Sequence, residues 1–333
     1  MLKKFFKNYL ELPISSTKIV CLGGGVGTAQ ILKGLRTLPH SLTAIVSMAD
    51  DGGSAGRLRR AFAVPPPGDI VNCLAALSDE ESVIKDLFLY RFAGKRQGKD
   101  TDLGGQKLGN LIFVALTNIY KGNTNKALEE LSKIISSKGR VLPATVEDVN
   151  IWAKTQKGTK VSGEENIDLG KYNDGSKTLS EVHLNPKNPK VYKSAFEAIL
   201  EADLIIAGPG DLFSTVLPVL IIPQIKSVLI SSKARKMFIV NIANKPFETY
   251  DFAVSNYLKV VKKHLGQDIF DTILVNANQK PEIPAKFKYK YVKVDKENLS
   301  PYRKNIKEGD LVSTKYPIYH DSQKIADFVN SLI

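Results

Sequence analysis

The sequence predicts an α/β protein, a doubly wound and mostly parallel sheet with a β-rich insertion. Three observations predict it. Short apolar runs end abruptly on glycine or polar residues (18–22, 42–48, 203–207, 236–240 and 272–275), as strands buried on both faces do. Segments with helical spacing separate most of these runs, as crossovers between parallel strands require. From 140 to 191 the texture changes to short strand-like fragments among Gly, Asn and Asp clusters, the pattern of an antiparallel insertion.

Composition agrees with a globular chain. The 333 residues are 43% hydrophobic and 24% charged, enough for one large core. No run of about 18 apolar residues occurs, so no membrane span is expected. The first residues, Met-Leu-Lys-Lys-Phe-Phe-Lys, lack the apolar stretch of a secretion signal. Residues 1–16 are expected to be an N-terminal extension, and 17–333 a single domain with its β insertion at about 140–191. Cys21 and Cys73 are far apart and suit a reducing compartment. The four histidines, His40, His183, His264 and His320, are scattered and do not form a zinc pattern. The net charge of +13 raises nucleic acid as a partner. The lysines are spread out, however, and aromatic–basic interleaving is absent, so no stable nucleic-acid partner is expected. An anionic small ligand fits better.

The elements follow in order. The run 18–22 enters Gly23-Gly-Gly-Val-Gly-Thr28, and Ala29 to Leu38 carries helical spacing. A strand, a glycine loop and a helix leave N–H groups at a helix N-terminus, where anions bind. Gly24, Gly25 and Gly27 are candidate ligand contacts. Thr28 is an N-cap or a phosphate-side hydroxyl. The spacing matches neither G-x-G-x-x-G nor a Walker A loop. A tight turn is the plain alternative.

The second run reaches Asp50-Asp51-Gly-Gly-Ser-Ala-Gly-Arg57. In doubly wound sheets ligands lie beyond the carboxyl ends of strands. Asp50 and Asp51 would therefore hold Mg²⁺ or polar ligand groups. Gly52 and Gly53 permit close approach, while Ser54 and Arg57 offer donors. No cofactor is required, and Mg²⁺ is the candidate metal. The alternative is a glycine turn followed by solvated arginines.

Asp69 is expected to cap a helix over 70–77, with Asn72 in its first turn. Further helices are expected over 111–120 and 126–136. Residues 94–99 read as an exposed loop. Asn110 is an N-cap or a ligand contact. Strand fragments at 150–154, 160–162 and 179–184 form the insertion. Its charges, Gly163-Glu-Glu165 included, are expected on a solvated face.

The run 203–207 enters Gly208-Pro-Gly-Asp-Leu-Phe-Ser-Thr215. Gly208 and Gly210 allow close approach, and Ser214 and Thr215 offer hydroxyls. Asp211 caps a helix or meets ligand hydroxyls. The run 236–240 ends at Asn241. Residues 289–294 read as an edge strand, and 321–332 as a C-terminal helix. Polar and glycine residues at so many strand ends predict one ligand crevice.

Together these blocks carry a resemblance. Gly-Gly-Gly-x-Gly-Thr28, Val46-Ser-Met-Ala-Asp-Asp-Gly-Gly-Ser-Ala-Gly-Arg57, Pro66-Pro-Gly-Asp-Ile-x-Asn-Cys73, Gly139-Arg-Val-Leu-Pro-Ala-Thr145 and Ala202-Asp-Leu-Ile-Ile-Ala-Gly-Pro-Gly210 occur in that order. The chain resembles the YvcK proteins, called gluconeogenesis factors, over roughly residues 17–332. These share a superfamily with the 2-phospho-L-lactate transferases (CofD). The resemblance implies a Rossmann-like core and a cytoplasmic protein that supports cell shape and cell-wall precursor supply. It also implies binding of UDP-sugars, notably UDP-N-acetylglucosamine, by a regulator rather than an enzyme. The alternative it implies is a Mg²⁺-dependent phospholactyl-type transferase with a nucleoside-diphosphate donor. That branch keeps the Asp-Asp pair but not the Gly-Gly-Ser-x-Gly-Arg continuation. Six positions depart from the family pattern. Val71 stands for Arg, Gln106 for His and Tyr319 for Arg, and in the loop after Gly210 Asp211 stands for Ser, Phe213 for Tyr and Ser214 for Thr. Oligomeric state is open, a homo-oligomer included.

Overall fold

The computed structural model describes residues 16–79, 82–94 and 103–333. The expected N-terminal extension, apart from residue 16, and most of the expected loop at 94–99 lie outside the described residues.

The chain runs β1 (Lys18–Gly23), α1 (Gly25–Leu35), β2 (Ser41–Val46), α2 (Gly53–Phe62), α3 (Gly68–Leu77), α4 (Val83–Leu89), α5 (Leu108–Ile119), α6 (Thr124–Ile134) and β3 (Arg140–Pro143). An antiparallel unit follows: β4 (Asn150–Thr155), β5 (Lys160–Ser162), α7 (Glu164–Asp168) and β6 (Leu179–Asn185). Then come α8 (Lys193–Leu200), β7 (Leu204–Ala207), a π-helical turn (Leu212–Val216), α9 (Leu217–Leu220), α10 (Pro223–Ser231) and β8 (Arg235–Ile239). The last part holds β9 (Ala243–Asn244), α11 (Val254–Leu265), β10 (Thr272–Asn276), β11 (Lys290–Tyr291), β12 (Ile306–Gly309) and α12 (Ser322–Leu332).

Seven strands form the central sheet in the order β12-β10-β8-β7-β1-β2-β3. Every pairing in it is parallel. Such a sheet needs a core on each face, and alternate residues of each strand supply both. Ile19 and Cys21 of β1 enter one core with Leu42 and Ala44 of β2; Val20, Leu22 and Ile45 enter the other. On the first face α1 packs between α3 and α12.

β4 pairs antiparallel with β5 and β6 in a sheet of its own. Arg140–Pro143 is not part of that unit. It is the parallel edge of the main sheet, paired with β2. The expected edge strand at 289–294 is reduced to β11, a two-residue pairing with β9. Among the described residues no single helix is long and apolar enough to cross a membrane.

The topology fixes where a ligand can sit. From β1 the chain moves outward through β2 and β3, then returns to the other side of β1 at β7 and moves outward through β8, β10 and β12. The order therefore reverses between β1 and β7. A crevice opens at the carboxyl ends of strands at such a reversal.

Candidate functional site

At that reversal β1 runs into the glycine loop. Gly24 has φ +152°, and a Cβ there would lie 2.2 Å from Oδ2 of Asp69. Only glycine lets the loop and this carboxylate meet. The Gly24 N–H donates to Thr28 Oγ1 at 2.8 Å. Thr28 is buried inside α1 and closes the loop from within. The helix begins at Gly25, earlier than its apolar spacing indicates.

A cleft of about 650 Å³ opens beside this loop. The first turns of three helices line it: Gly25 and Val26 of α1; Gly53, Ser54 and Ala55 of α2; and Gly68 and Asp69 of α3. First-turn N–H groups carry partial positive charge and lack partners within the helix. Lys33, Lys85, Arg91 and Lys107 add formal positive charge along the cleft. Arg91 donates to Ser54 Oγ at 3.2 Å and to the Gly105 carbonyl; Lys107 donates to Asn72 Oδ1.

Carboxylates line the same space: Asp50, Asp69, Glu164, Glu165, Asp168 and Asp211. The Asp50 carboxylate accepts the Gly52 N–H at 3.0 Å. Asp69 accepts a bond from the Gly25 backbone. Burial first, and the Asp50 charge second, push its carboxyl up to about 7. Burial raises Glu164 as well, with Asp50 and Asp168 adding to it.

Lys245 sits among the acids. Its ammonium pairs with Asp168, with Asp211 at 2.7 Å and with Glu248 at 3.6 Å. Burial opposes its charge, but the three carboxylates outweigh burial and hold it well above the usual lysine range. Asp168, Asp211 and Glu248 are close enough together to chelate a metal ion. The ammonium already supplies the cation there. Glu248 is fully buried and accepts the N–H groups of Phe213 and Ser214 at 3.1 and 3.4 Å and the Ser214 hydroxyl at 2.7 Å. These bonds fix the π-helical turn against the cleft.

A recess of about 140 Å³ lies beside the glycine loop. It shares Gly25, Val26, Gln30, Asp211 and Thr215 with the main cleft. Asn241 closes onto the loop there. Its side chain accepts the Gly210 N–H at 3.1 Å and donates to the Gly210 carbonyl at 2.9 Å.

The expected site residues divide as follows. Gly25, Asp50, Gly52, Gly53, Ser54, Asn72, Asn110, Asp211, Ser214 and Thr215 line the main cleft. Gly24, Gly27, Gly210 and Asn241 line the recess. Thr28, Asp51, Arg57 and Gly208 line neither. Successive residues of an extended segment face opposite ways, and the acidic pair does the same. Asp50 faces the cleft, while Asp51 accepts the Glu165 N–H at 2.9 Å. Arg57 donates to the Gly104 carbonyl.

Some residues take other roles than expected. Asp69 does not cap α3: it lies inside that helix and serves the loop before α1. Asn110 is not an N-cap, because α5 begins at Leu108. It is buried with Oδ1 unpartnered among the described residues. Glu164 and Glu165 line the cleft instead of a solvated face. Asp168, Lys245 and Glu248 carry no local sequence signal. Lys245 and Glu248 sit in a short connection where charge ordinarily means exposure. Of the departures from the family pattern, Val71 is core and Gln106 is buried.

Comparison with known proteins agrees with this architecture. The family model for 2-phospho-L-lactate transferase CofD matches residues 19–312. A gluconeogenesis factor of Bacillus subtilis is 39% identical over 95% of this chain and 98% of its own length. A putative gluconeogenesis factor of Aquifex aeolicus is 37% identical over 96% and 98%. The crystal structure of a UPF0052-family protein from Bacillus halodurans superposes with a TM-score of 0.85 at 34% identity, covering 95% of this chain and 99% of that one. With a glycine loop, an acidic turn and a Gly-Pro-Gly loop meeting at one sheet edge, the chain belongs to the gluconeogenesis factor (YvcK, UPF0052) family, which is related to CofD.

Proposed function

We propose that the main cleft binds a nucleotide-sugar of the UDP-N-acetylglucosamine type. The protein would act as a cytoplasmic ligand-binding regulator of cell-wall precursor supply and cell shape. One observation carries the reading: three helix N-termini and four basic side chains share a cleft with a row of carboxylates. A diphosphate suits the first turns of α1 and α2 with Lys33, Lys85, Arg91 and Lys107. Hydroxyls of ribose and sugar suit the carboxylates of Asp50, Asp168 and Asp211, which accept hydrogen bonds and repel phosphate. Asn72 and Asn110 add amide groups, and Ser214 and Thr215 shape the floor.

Magnesium is not required in this reading. Lys245 supplies the cation in the one cluster close enough for chelation among the described residues. Asp50 faces the cleft without Asp51, so a metal there would draw on Asp50 and Glu164. Two carboxyls lining one cleft, with the Asp50 charge helping to raise Glu164, are the observation behind a second reading, metal-dependent group transfer from a nucleoside diphosphate. Magnesium would supply charge neutralisation at the leaving phosphate.

Isothermal titration with UDP-N-acetylglucosamine tests the first reading. We expect saturable binding that persists in chelator. Absence of heat at millimolar ligand from a folded sample would overturn it. Product formed from a nucleoside-diphosphate donor, and lost in Asp50→Asn, would favour the second.

A further inference from the structure

Away from the cleft, α4 carries its apolar residues outward. Its sequence is Val-Ile-Lys-Asp-Leu-Phe-Leu, and only Phe88 is buried. Val83 is 73% exposed, Ile84 40% and Leu87 45%. Tyr90, which follows the helix, is 53% exposed, and its ring meets that of Phe92 edge-on. Leu103, 46% exposed, adjoins them in a turn whose Gly105 N–H donates to the Phe92 carbonyl at 3.1 Å. Val83, Leu87 and Tyr90 recur at the spacing of a single helical stripe. In a protein whose other helices turn their apolar side to the sheet, this stripe faces away from it.

The size of the patch fits one class of contact. At roughly 200 Å² for a fully exposed large side chain, the five fractions leave about 500 Å² of apolar surface. That is near the upper end for a monomer, where such patches usually mark a contact. A standard interface takes about 800 Å² from each partner, and about 65% of a homodimer contact is apolar. The product, about 500 Å², matches the patch.

Charge points to the same partner. Two copies of a chain with net charge +13 repel each other, so they can meet only where cations are sparse. Among the described residues between Arg60 and Lys121, the cations are Lys85, Arg91 and Lys107, and all three line the main cleft. The exposed charge on α4 is Asp86. An anionic membrane would need cations beside the apolar stripe, and this face offers an acid.

We propose that α4 is a self-association surface, on which the Val83, Leu87 and Tyr90 stripe packs against the same stripe of a second copy of this chain. Such a contact is isologous, so each stripe serves as both donor and receiver of side chains across a two-fold axis. Leu103 and Ile84 flank it on either side. The same helix carries Lys85 and Leu89 into the main cleft, so the pairing braces one wall of the ligand site.

Sedimentation velocity of the full chain at about 100 µM tests this, a concentration at which a micromolar dimer is nearly complete. We expect the mass of two chains. Leu87→Lys brings two ammonium groups together across the axis and should weaken association roughly hundredfold. Val83→Glu, at a more exposed position, should do the same and serves if the first variant fails to fold. Leu200→Lys alters an exposed leucine on α8, over the opposite face of the sheet, and should leave the dimer intact. A chain that is monomeric at that concentration, whether or not it pellets with anionic lipid vesicles, would overturn the proposal. So would a dimer that survives both α4 substitutions in folded protein, or one lost equally in Leu200→Lys.

Discussion

Asp69 is where single-residue chemistry is sharpest. Its carboxylate lies against Gly24 and accepts from the Gly25 backbone. It thus takes up one of the N–H groups that the first turn of α1 presents. Burial and the neighbouring Asp50 charge raise its carboxyl from 3.8 to about 7. Below about pH 4 the folded and unfolded chains both hold this proton. Between there and pH 7 the folded chain keeps a proton that the unfolded chain releases, so stability falls as pH rises through that window. Asp69→Asn removes the charge and retains an oxygen for the Gly25 N–H. Chemical denaturation at pH 5 and pH 8 should show the variant gaining on the parent as pH rises, on the order of 2 kcal/mol across the window. A difference independent of pH would show that Asp69 is ionised in the fold. Lys245 is the complementary case. A buried cation is tolerated because three carboxylates surround it, and together they anchor Asp211 where cleft and recess meet.

At the scale of elements, the glycine loops tie helices to strands through contacts that leave no room for a methyl group. Gly27 lies in α1 with an ordinary helical backbone, where alanine would be favoured by about 1 kcal/mol. A Cβ there, however, would lie 2.5 Å from the Pro209 carbonyl oxygen and 2.8 Å from its carbon. Those atoms are backbone, and Asn241 holds the loop at Gly210. Gly27→Ala should therefore destabilise by roughly 1–3 kcal/mol, read as a lower denaturant midpoint with unchanged slope. A midpoint equal to or above the parent's would mean that the Gly208–Gly210 loop yields freely.

These junctions were also the most legible part of the chain. An apolar run that ends on glycine or a polar residue marks a buried strand meeting a loop, and β1, β2, β7, β8 and β10 each match such a run to within two residues. The edge strands hid for the opposite reason. Ile306–Gly309 is half polar and partly exposed, so it has no apolar signature, and Arg140–Pro143 is only four residues long. Site residues followed the same division. Asp50 and Asp211 stand in motifs, whereas Asp69 looked like a cap because its partner Gly25 is remote in sequence. Glu164, Lys245 and Glu248 acquire their roles only when the sheet brings distant segments together. Local sequence cannot distinguish a buried charge from a solvated one.

For the molecule as a whole, charge and site point in different directions. The chain carries a net charge of +13, yet the cleft is lined by a row of acids beside its basic side chains. For an approaching dianion the long-range field is set by the net charge, and the acids matter only within a few ångströms. A nucleotide diphosphate should thus be attracted first and sorted at close range, its phosphates to Arg91 and Lys107 and its hydroxyls to Asp50 and Asp211. On the nucleotide-sugar reading, stopped-flow association of UDP-N-acetylglucosamine should slow roughly threefold or more between low and high salt. The dissociation rate should change much less, because the close contacts are partly buried and weakly screened. A rate that stays constant or rises with salt would mean that the acidic lining dominates the field at the mouth. Capture would then depend on the local arrangement of Lys85, Arg91 and Lys107 rather than on the charge of the whole chain.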